Sequence, residues 1–296
     1  MVLFNCIYLR IRYTYHLPLG IEEEFEANSC SLKMALLTWS SAIALWIAVT
    51  CGISFWLLPY DPFTTKPLVA SLLFFNNLNI FIAICEICLG YHIMFIREDY
   101  RKRKAAYPKG KEWDGCLALL TMPITVKEMF QGKTWALMWS TYALFDPSYQ
   151  NYESFGFFVD VGNGYTTILP CLFLNYGIIY PYRVNQLILA CVVIASYWQM
   201  LYGTIIYFLS FVFNKRYEGH NKVSIFLFVG LTNGVWFFFP AAAIYSAYCI
   251  LRDGDMSVFN PWTKCTLFVA LDTDYLHREC ETAMTANHHF CAYALC

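Results

Sequence analysis

The stretch Trp139–Pro170, WSTYALFDPSYQNYESFGFFVDVGNGYTTILP, passes from an aromatic-rich segment into an apolar run that carries one carboxylate, Asp160. Phe158 and Val159 precede this carboxylate and Val161 follows it. A charge at the centre of a bilayer costs ~3 kcal/mol or more. If the run crosses a membrane, we therefore expect its carboxylate to face a helix bundle or a cavity and to be functional.

The composition of the whole chain indicates a membrane protein. Of its 296 residues, 58% are hydrophobic and 14% are charged, whereas soluble domains carry about 25% charged residues. The formal net charge of −1 gives no sign of a nucleic-acid partner. Several of the 13 cysteines lie inside apolar runs, where cysteine packs as a small hydrophobic residue, so we expect no disulfide framework.

Five apolar runs are long enough to cross a bilayer, which predicts an all-α membrane protein built as a five-transmembrane-helix bundle. The predicted spans are 35–58, 68–96, 155–180, 184–213 and 223–251. Residues 34–251 form the predicted transmembrane domain, 1–33 an N-terminal extension and 252–296 a peripheral tail. We expect residues 116–138 to form a re-entrant or interfacial helix, with a soluble loop as the alternative.

Basic residues are concentrated in two of the loops between the predicted spans. Seven Lys or Arg lie between 97 and 111 and three lie in 214–222, against one in each opposing loop. Because such residues favour the cytosolic side of a membrane, both basic loops are predicted to be cytosolic.

Four of the predicted spans carry polar side chains, which predicts a polar pocket within the apolar bundle. Asp160 and Asn163 are three residues apart and share a helix face, as Asn233 and Trp236 do. The candidate site residues in these spans are Glu86, Asp160, Asn163, Gln199, Tyr202, Thr204, Asn233 and Trp236.

Two carboxyl groups beside an apolar substrate could move a double bond, one adding a proton and the other removing one. We assign these roles to Glu86 and Asp160. The indole face of Trp236 could stabilise a cationic intermediate, and Asn233 could orient an acid or its water. In the alternative interpretation, polar side chains such as Asn79 only join helices through hydrogen bonds.

Other motifs carry no function that we can identify. The tail sequence HHFCAYALC lacks the paired C-x-x-C spacing of a zinc site, so no metal is predicted. The glycines Gly162 and Gly164 match neither a P-loop nor a dinucleotide-binding fingerprint.

Three motifs follow one another in the order and spacing of a known family. WSTYALFDPSYQ (139–150) matches W-x-x-Y-A-x-x-D-x-x-Y, SYWQMLYGTIIYF (196–208) matches S-x-x-Q-x-Y-G-x-x-x-Y-F with one extra residue, and TNGVWFFFP (232–240) matches N-x-x-W-x-x-x-P. The chain resembles the emopamil-binding protein family, the sterol Δ8–Δ7 isomerases with the EXPERA domain. The catalytic third-helix glutamate of that family lies fourteen residues past the motif aspartate, which from Asp146 leads to Asp160. Its second-helix glutamate corresponds to Glu86.

The resemblance implies an integral membrane protein of the endoplasmic reticulum that shifts a sterol double bond and needs no cofactor. This sequence departs from the pattern of the family at four positions. A histidine is expected at Ile82, a glutamate at Asp160, a threonine at Asn163 and an acidic residue at Thr204. The implied catalytic residues are Glu86, Asp160, Asn233 and Trp236, and the implied substrate-binding residues are Asn163, Gln199, Tyr202 and Thr204.

Two other functions stay open. The missing histidine favours a membrane protein that binds a sterol, another lipid or a cationic amphiphile without converting it. Polar residues inside a membrane also line transport pathways, so a small transporter or channel subunit is a third interpretation. The sequence leaves the oligomeric state undecided, with a homodimer as one alternative.

Overall fold

The computed structural model describes residues 37–259. The predicted extension 1–33 and the predicted tail from residue 260 onward lie outside the described residues. The helices are α1 (Trp39–Trp56), α2 (Pro62–Thr65), α3 (Pro67–Tyr91), α4 (Ile93–Ala106), α5 (Glu112–Leu120), α6 (Val126–Met129), α7 (Gly132–Tyr142), α8 (Phe155–Thr166), α9 (Ile168–Ile179), α10 (Gln186–Phe213) and α11 (Lys222–Asp253). Two 3₁₀ turns, Pro147–Gln150 and Pro181–Arg183, and a π-helical turn inside α11, Phe226–Leu231, complete the helical elements.

The predicted all-α membrane bundle is confirmed, with four single spans and one bent helix pair that can supply the fifth. Helices α1, α3, α10 and α11 are each long and apolar enough to cross a bilayer. Helices α8 and α9, which bend by 44° at the break between them, make a fifth span if the pair is counted as one. The chain is therefore an integral membrane protein by the length and composition of its helices.

The bend between α8 and α9 has a local cause in Pro170. Proline has no amide hydrogen, so it cannot donate to the carbonyl of Thr166 four residues earlier, and its ring crowds that carbonyl. The helix stops at Thr166 and starts again at Ile168, with Thr167 between the two halves. Such a break is tolerated in a membrane when it is covered by protein, and Thr167 is buried.

Two predicted boundaries are wrong. The second span ends at Tyr91 rather than 96, because the backbone leaves the helical conformation at His92 before α4 begins. Residues 116–138 do not form one helix, since Pro123 cannot continue α5. Instead β2 (Pro123–Ile124) pairs antiparallel with β1 (Leu37–Thr38), and α6 and the start of α7 follow.

Helix α3 lies at the centre of the bundle and packs against α1, α7, α8, α9 and α11. Its most apolar 18-residue window is 67% buried, against 33% or less in α1, α10 and α11. This position explains why α3 tolerates polar residues. A polar side chain in hydrocarbon needs a partner, and α3 meets a different neighbouring helix on each face.

Three asparagines of α3 make such interhelical hydrogen bonds. Asn76 donates to Oδ1 of Asn175 on α9 at 2.7 Å, and Asn77 donates to Oγ of Ser54 on α1 at 3.0 Å. Asn79 donates to Oγ1 of Thr167, at the bend between α8 and α9, at 3.2 Å. These contacts agree with the interpretation that the asparagines join helices.

One ion pair and one histidine–carboxylate hydrogen bond attach the loop between α10 and α11 to the rest of the bundle. Arg216 lies 2.8 Å from the carboxylate of Asp146, whose side chain is fully buried. His220 lies 2.8 Å from the carboxylate of Glu112, and both side chains are almost fully buried. Asp146 also caps the 3₁₀ turn Pro147–Gln150, because its other oxygen accepts from the amide of Ser148. Asp146 therefore holds both the loop and this turn in place.

We expect Asp146→Asn to lower the free energy of unfolding by about 2–3 kcal/mol, because it leaves the guanidinium of Arg216 without its buried carboxylate. The measurement is thermal or denaturant unfolding of the purified chain in detergent. Glu218→Gln is the matched control, since it breaks the exposed Lys215–Glu218 pair of the same loop and should change stability by less than about 0.5 kcal/mol. Equal effects of the two variants would contradict the anchoring role of Asp146.

Candidate functional site

A cavity of about 470 Å³ lies inside the bundle, between α3, α7, α8, α10 and α11. Its wall is mostly apolar, with a few polar groups, and its volume falls within the range of small-molecule sites. Six of the eight predicted site residues line it: Glu86, Asp160, Asn163, Thr204, Asn233 and Trp236. The prediction that polar patches of separate helices meet in one pocket is confirmed for these six.

The two carboxyl groups of the cavity come from different helices. Glu86 lies on α3 and is only 6% exposed, and its Oε2 atom is buried without a hydrogen-bond partner among residues 37–259. Asp160 lies on α8 and is close enough for the two groups to repel each other when both are charged. A buried carboxyl oxygen without a hydrogen-bond partner lowers the stability of the fold. Carboxyl groups inside membrane helices are therefore candidates for a functional role.

The distance between α3 and α8 depends on Gly164. A Cβ atom on Gly164 would lie 2.9 Å from the carbonyl oxygen of Ala83 and from the amide nitrogen of Ile87, and 3.0 Å from Cβ of Glu86. Only a glycine lets the backbones of two membrane helices approach so closely. Since Gly164 is one turn from Asp160, the same contact brings Asp160 beside Glu86.

Three tyrosines that were not among the predicted site residues form the polar part of the wall near Asp160. The hydroxyl groups of Tyr142 and Tyr207 lie 2.7 Å apart, and Asn233 donates to the Tyr142 hydroxyl at 2.8 Å. Tyr149, held by the turn that Asp146 caps, lines the cavity beside Asp160. Burial raises the pKa of Tyr142 and of Tyr149, so both hydroxyls stay protonated and can donate.

All three tyrosines lie within the motifs of the sequence. Tyr142 and Tyr149 are the two tyrosines of the motif that leads to Asp160, but tyrosines beside a membrane span are usually interfacial anchors. Tyr207 lies inside the α10 motif. Hydropathy alone does not separate an anchor from a buried donor, because the tyrosine ring is amphipathic in both settings.

The backbone around Trp236 also belongs to the site. Pro240 has no amide hydrogen to donate to the carbonyl of Trp236. The hydroxyl of Thr204 donates to the carbonyl of Met200 at 2.9 Å and lies 3.4 Å from the carbonyl of Trp236. Thr204 therefore supports a proline-interrupted part of α11 in addition to lining the cavity.

Two predicted substrate-binding residues do not line the cavity. Tyr202 is 50% exposed and lies against Trp198 on the outer face of α10. Gln199 is exposed and donates to Oδ1 of Asn163 and to Oγ1 of Thr166, both at 2.8 Å. We correct both assignments: Gln199 joins α10 to α8, and Tyr202 faces away from the bundle.

The rest of the wall is apolar or neutral. Ile82 lines the cavity one turn before Glu86, at the position where the resemblance leads us to expect a histidine. Cys116 lines the end formed by α5, and burial raises the pKa of its thiol to about 12. The thiol is therefore protonated at neutral pH and acts as a small apolar surface rather than as a nucleophile.

Comparisons with known proteins identify no relative. No family model matches the chain, and no curated protein and no solved structure matches it.

We expect Gly164→Ala to separate α8 from α3, because the added methyl group would meet backbone atoms that cannot rotate away. Asp160 would then move relative to Glu86, and ligand binding in the cavity should fall by at least about tenfold. Gly162→Ala is the matched control on the same helix, since nothing lies within 4 Å of its added Cβ. The measurement is the affinity of each variant for a sterol in lipid nanodiscs, and equal affinities would refute the proposed contact.

Proposed function

We propose that the chain is a membrane enzyme that shifts a ring double bond of a sterol-like lipid by protonation and deprotonation. The observation that carries this proposal is the meeting of Glu86, Asp160, Asn233 and Trp236 in one largely apolar cavity. The motif resemblance supports the sterol as substrate and the endoplasmic reticulum as the compartment.

The reaction needs one acid and one base on the substrate. A carboxylic acid adds a proton to one carbon of the double bond, which leaves a carbocation on the other carbon. A carboxylate then removes a proton from a neighbouring carbon, and the electrons of that C–H bond form the shifted double bond. Protons and electrons balance within the substrate and the two carboxyl groups, so no redox cofactor takes part in these steps.

Glu86 and Asp160 suit this pair of roles because they approach the cavity from two different helices. In an apolar cavity, one protonated and one ionised carboxyl group avoids the repulsion between two buried negative charges. The Oε2 atom of Glu86 has no hydrogen-bond partner among residues 37–259, so no other described group engages the proton-transfer atom that the proposal needs. Tyr149 lies beside Asp160 in the cavity wall, and its hydroxyl is a donor that can orient the carboxylate.

Asn233 and Trp236 suit stabilisation of the positive charge. Both N–H groups of the Asn233 amide can be engaged within the protein, one by the Tyr142 hydroxyl and one by the carbonyl of Val229, each at 2.8 Å. The carbonyl oxygen of Asn233 is then the group that remains for a cation. Trp236 adds the negative face of its indole ring.

We expect Asp160→Asn and Glu86→Gln each to reduce conversion by about 100-fold or more, because each removes one proton-transfer group. The measurement is the sterol profile of yeast that lacks its own sterol isomerase and expresses the chain. Tyr202→Phe is the control, since Tyr202 lies outside the cavity and should leave conversion unchanged. Full conversion by Asp160→Asn would remove Asp160 from the mechanism.

A binding protein without catalysis is the second candidate, and Ile82 favours it. An isoleucine at this point of the wall cannot carry a proton, whereas a histidine could. One experimental result distinguishes the enzyme from the binding protein. If Δ8-sterols persist in yeast that expresses the wild-type chain well, while the purified chain binds them, the protein is a receptor or carrier.

A further inference from the structure

Asn79 is not part of the cavity wall, yet its side chain contacts a residue that is. The asparagine is only 2% exposed and lies on α3, two helical turns before Glu86. Its Oδ1 atom accepts a hydrogen bond from the indole Nε1 of Trp236 at 2.6 Å. This bond joins the central helix of the bundle to the aromatic ring that faces the cavity.

The orientation of the Asn79 amide is itself fixed. Its Nδ2 atom donates to Oγ1 of Thr167 at 3.2 Å and lies 3.4 Å from Sγ of Cys171. Because the nitrogen end points to the bend between α8 and α9, the oxygen end is left for Trp236. One side chain therefore relates the bent span to α11.

The ring of Trp236 is also packed against Phe75. The two ring centroids lie 6.0 Å apart, with an angle of 69° between the planes, and Phe75 is fully buried. Phe75 is in turn stacked on Phe239, one turn further along α11. The hydrogen bond fixes the edge of the indole and these contacts restrict its rotation, so the ring presents one surface to the cavity.

A fixed ring matters because attraction between a cation and an aromatic ring depends on geometry. It requires the positive charge over the ring face, within about 6 Å of the centroid. Without Asn79 the indole N–H would lie unpaired among apolar groups, which favours rotation of the ring toward another acceptor. A rotated ring would still fill space, but it would no longer present its face to the same point.

We propose that Asn79 is a positioning residue that holds the indole of Trp236 so that its face meets a positive charge in the cavity. This inference rests on the proposed function in one respect: the charge is then the carbocation formed on the sterol ring. Asn79 does not touch the substrate and acts only through Trp236.

The test compares a charged ligand with its neutral isostere. The probes are a steroid that carries a trimethylammonium group and the same steroid with a tert-butyl group, which has the same shape and no charge. Isothermal titration of the full chain in lipid nanodiscs gives both dissociation constants. We expect Asn79→Leu to weaken binding of the charged steroid at least tenfold relative to the neutral one. Should Asn79→Leu fail to fold, Asn79→Ser is measured, since its shorter side chain keeps a polar group but cannot reach the indole.

Asn77→Leu is the matched control. Asn77 is a buried asparagine of the same helix that bonds to Ser54 on α1 and makes no contact with Trp236. Its replacement should lower the stability of the helix bundle without changing the preference for the charged steroid over the neutral one. In the Trp236→Phe background, which lacks the indole N–H, the Asn79 substitution should no longer change that preference.

The inference is overturned if the Asn79 variants weaken binding of both steroids equally, as a structural residue would. It is also overturned if the wild-type chain shows no preference for the charged steroid. The proposed isomerase function is tested separately, because the yeast sterol profile can fail while the charge preference and its dependence on Asn79 persist.

Discussion

The polar side chains of α3 must all find partners inside a bundle that lies in a bilayer, and the rest of the structure depends on this constraint. Water is not available in hydrocarbon, so each group has to bond to another helix. Asn76 bonds to α9, Asn77 to α1, and Asn79 to both the bent span and α11. Glu86 is the exception, since one of its oxygens is buried without a partner among residues 37–259. The helix at the centre of the bundle thus also carries a carboxyl group that the described residues leave partly unbonded.

The irregular parts of the spans are concentrated around the cavity. The bend at Thr167 lies one turn beyond Asn163, and the π-helical turn Phe226–Leu231 ends just before Asn233. Pro240 interrupts hydrogen bonding at the carbonyl of Trp236. Irregular backbone is tolerated at membrane depth only where protein or a cavity covers it, and π-turns are frequent at functional sites. These features place polar atoms where a regular helix would present none.

The helical fold and six of the polar residues that line the cavity could be predicted from the sequence. Glu86 and Asp160 were found because a carboxylate in an apolar run is rare and expensive. Tyr142, Tyr149 and Tyr207 were not assigned to the site, because a tyrosine near a span looks the same whether it anchors the interface or donates inside the bundle. Residues 116–138 were misread as one helix, since short helices that pack on a bundle leave little periodic pattern.

The sequence by itself determined the membrane class, the positions of the long apolar runs and the identity of the polar residues within them. These properties follow from composition and run length, which are local. Only the tertiary structure decided which polar residues share the cavity. Thr204 and Tyr202 are two residues apart on α10, yet one lines the cavity and the other is exposed, because residues two apart point to nearly opposite sides of a helix. The rotation of each helix depends on its neighbours, and here the close contact at Gly164 and the bond between Asn79 and Trp236 contribute to setting it.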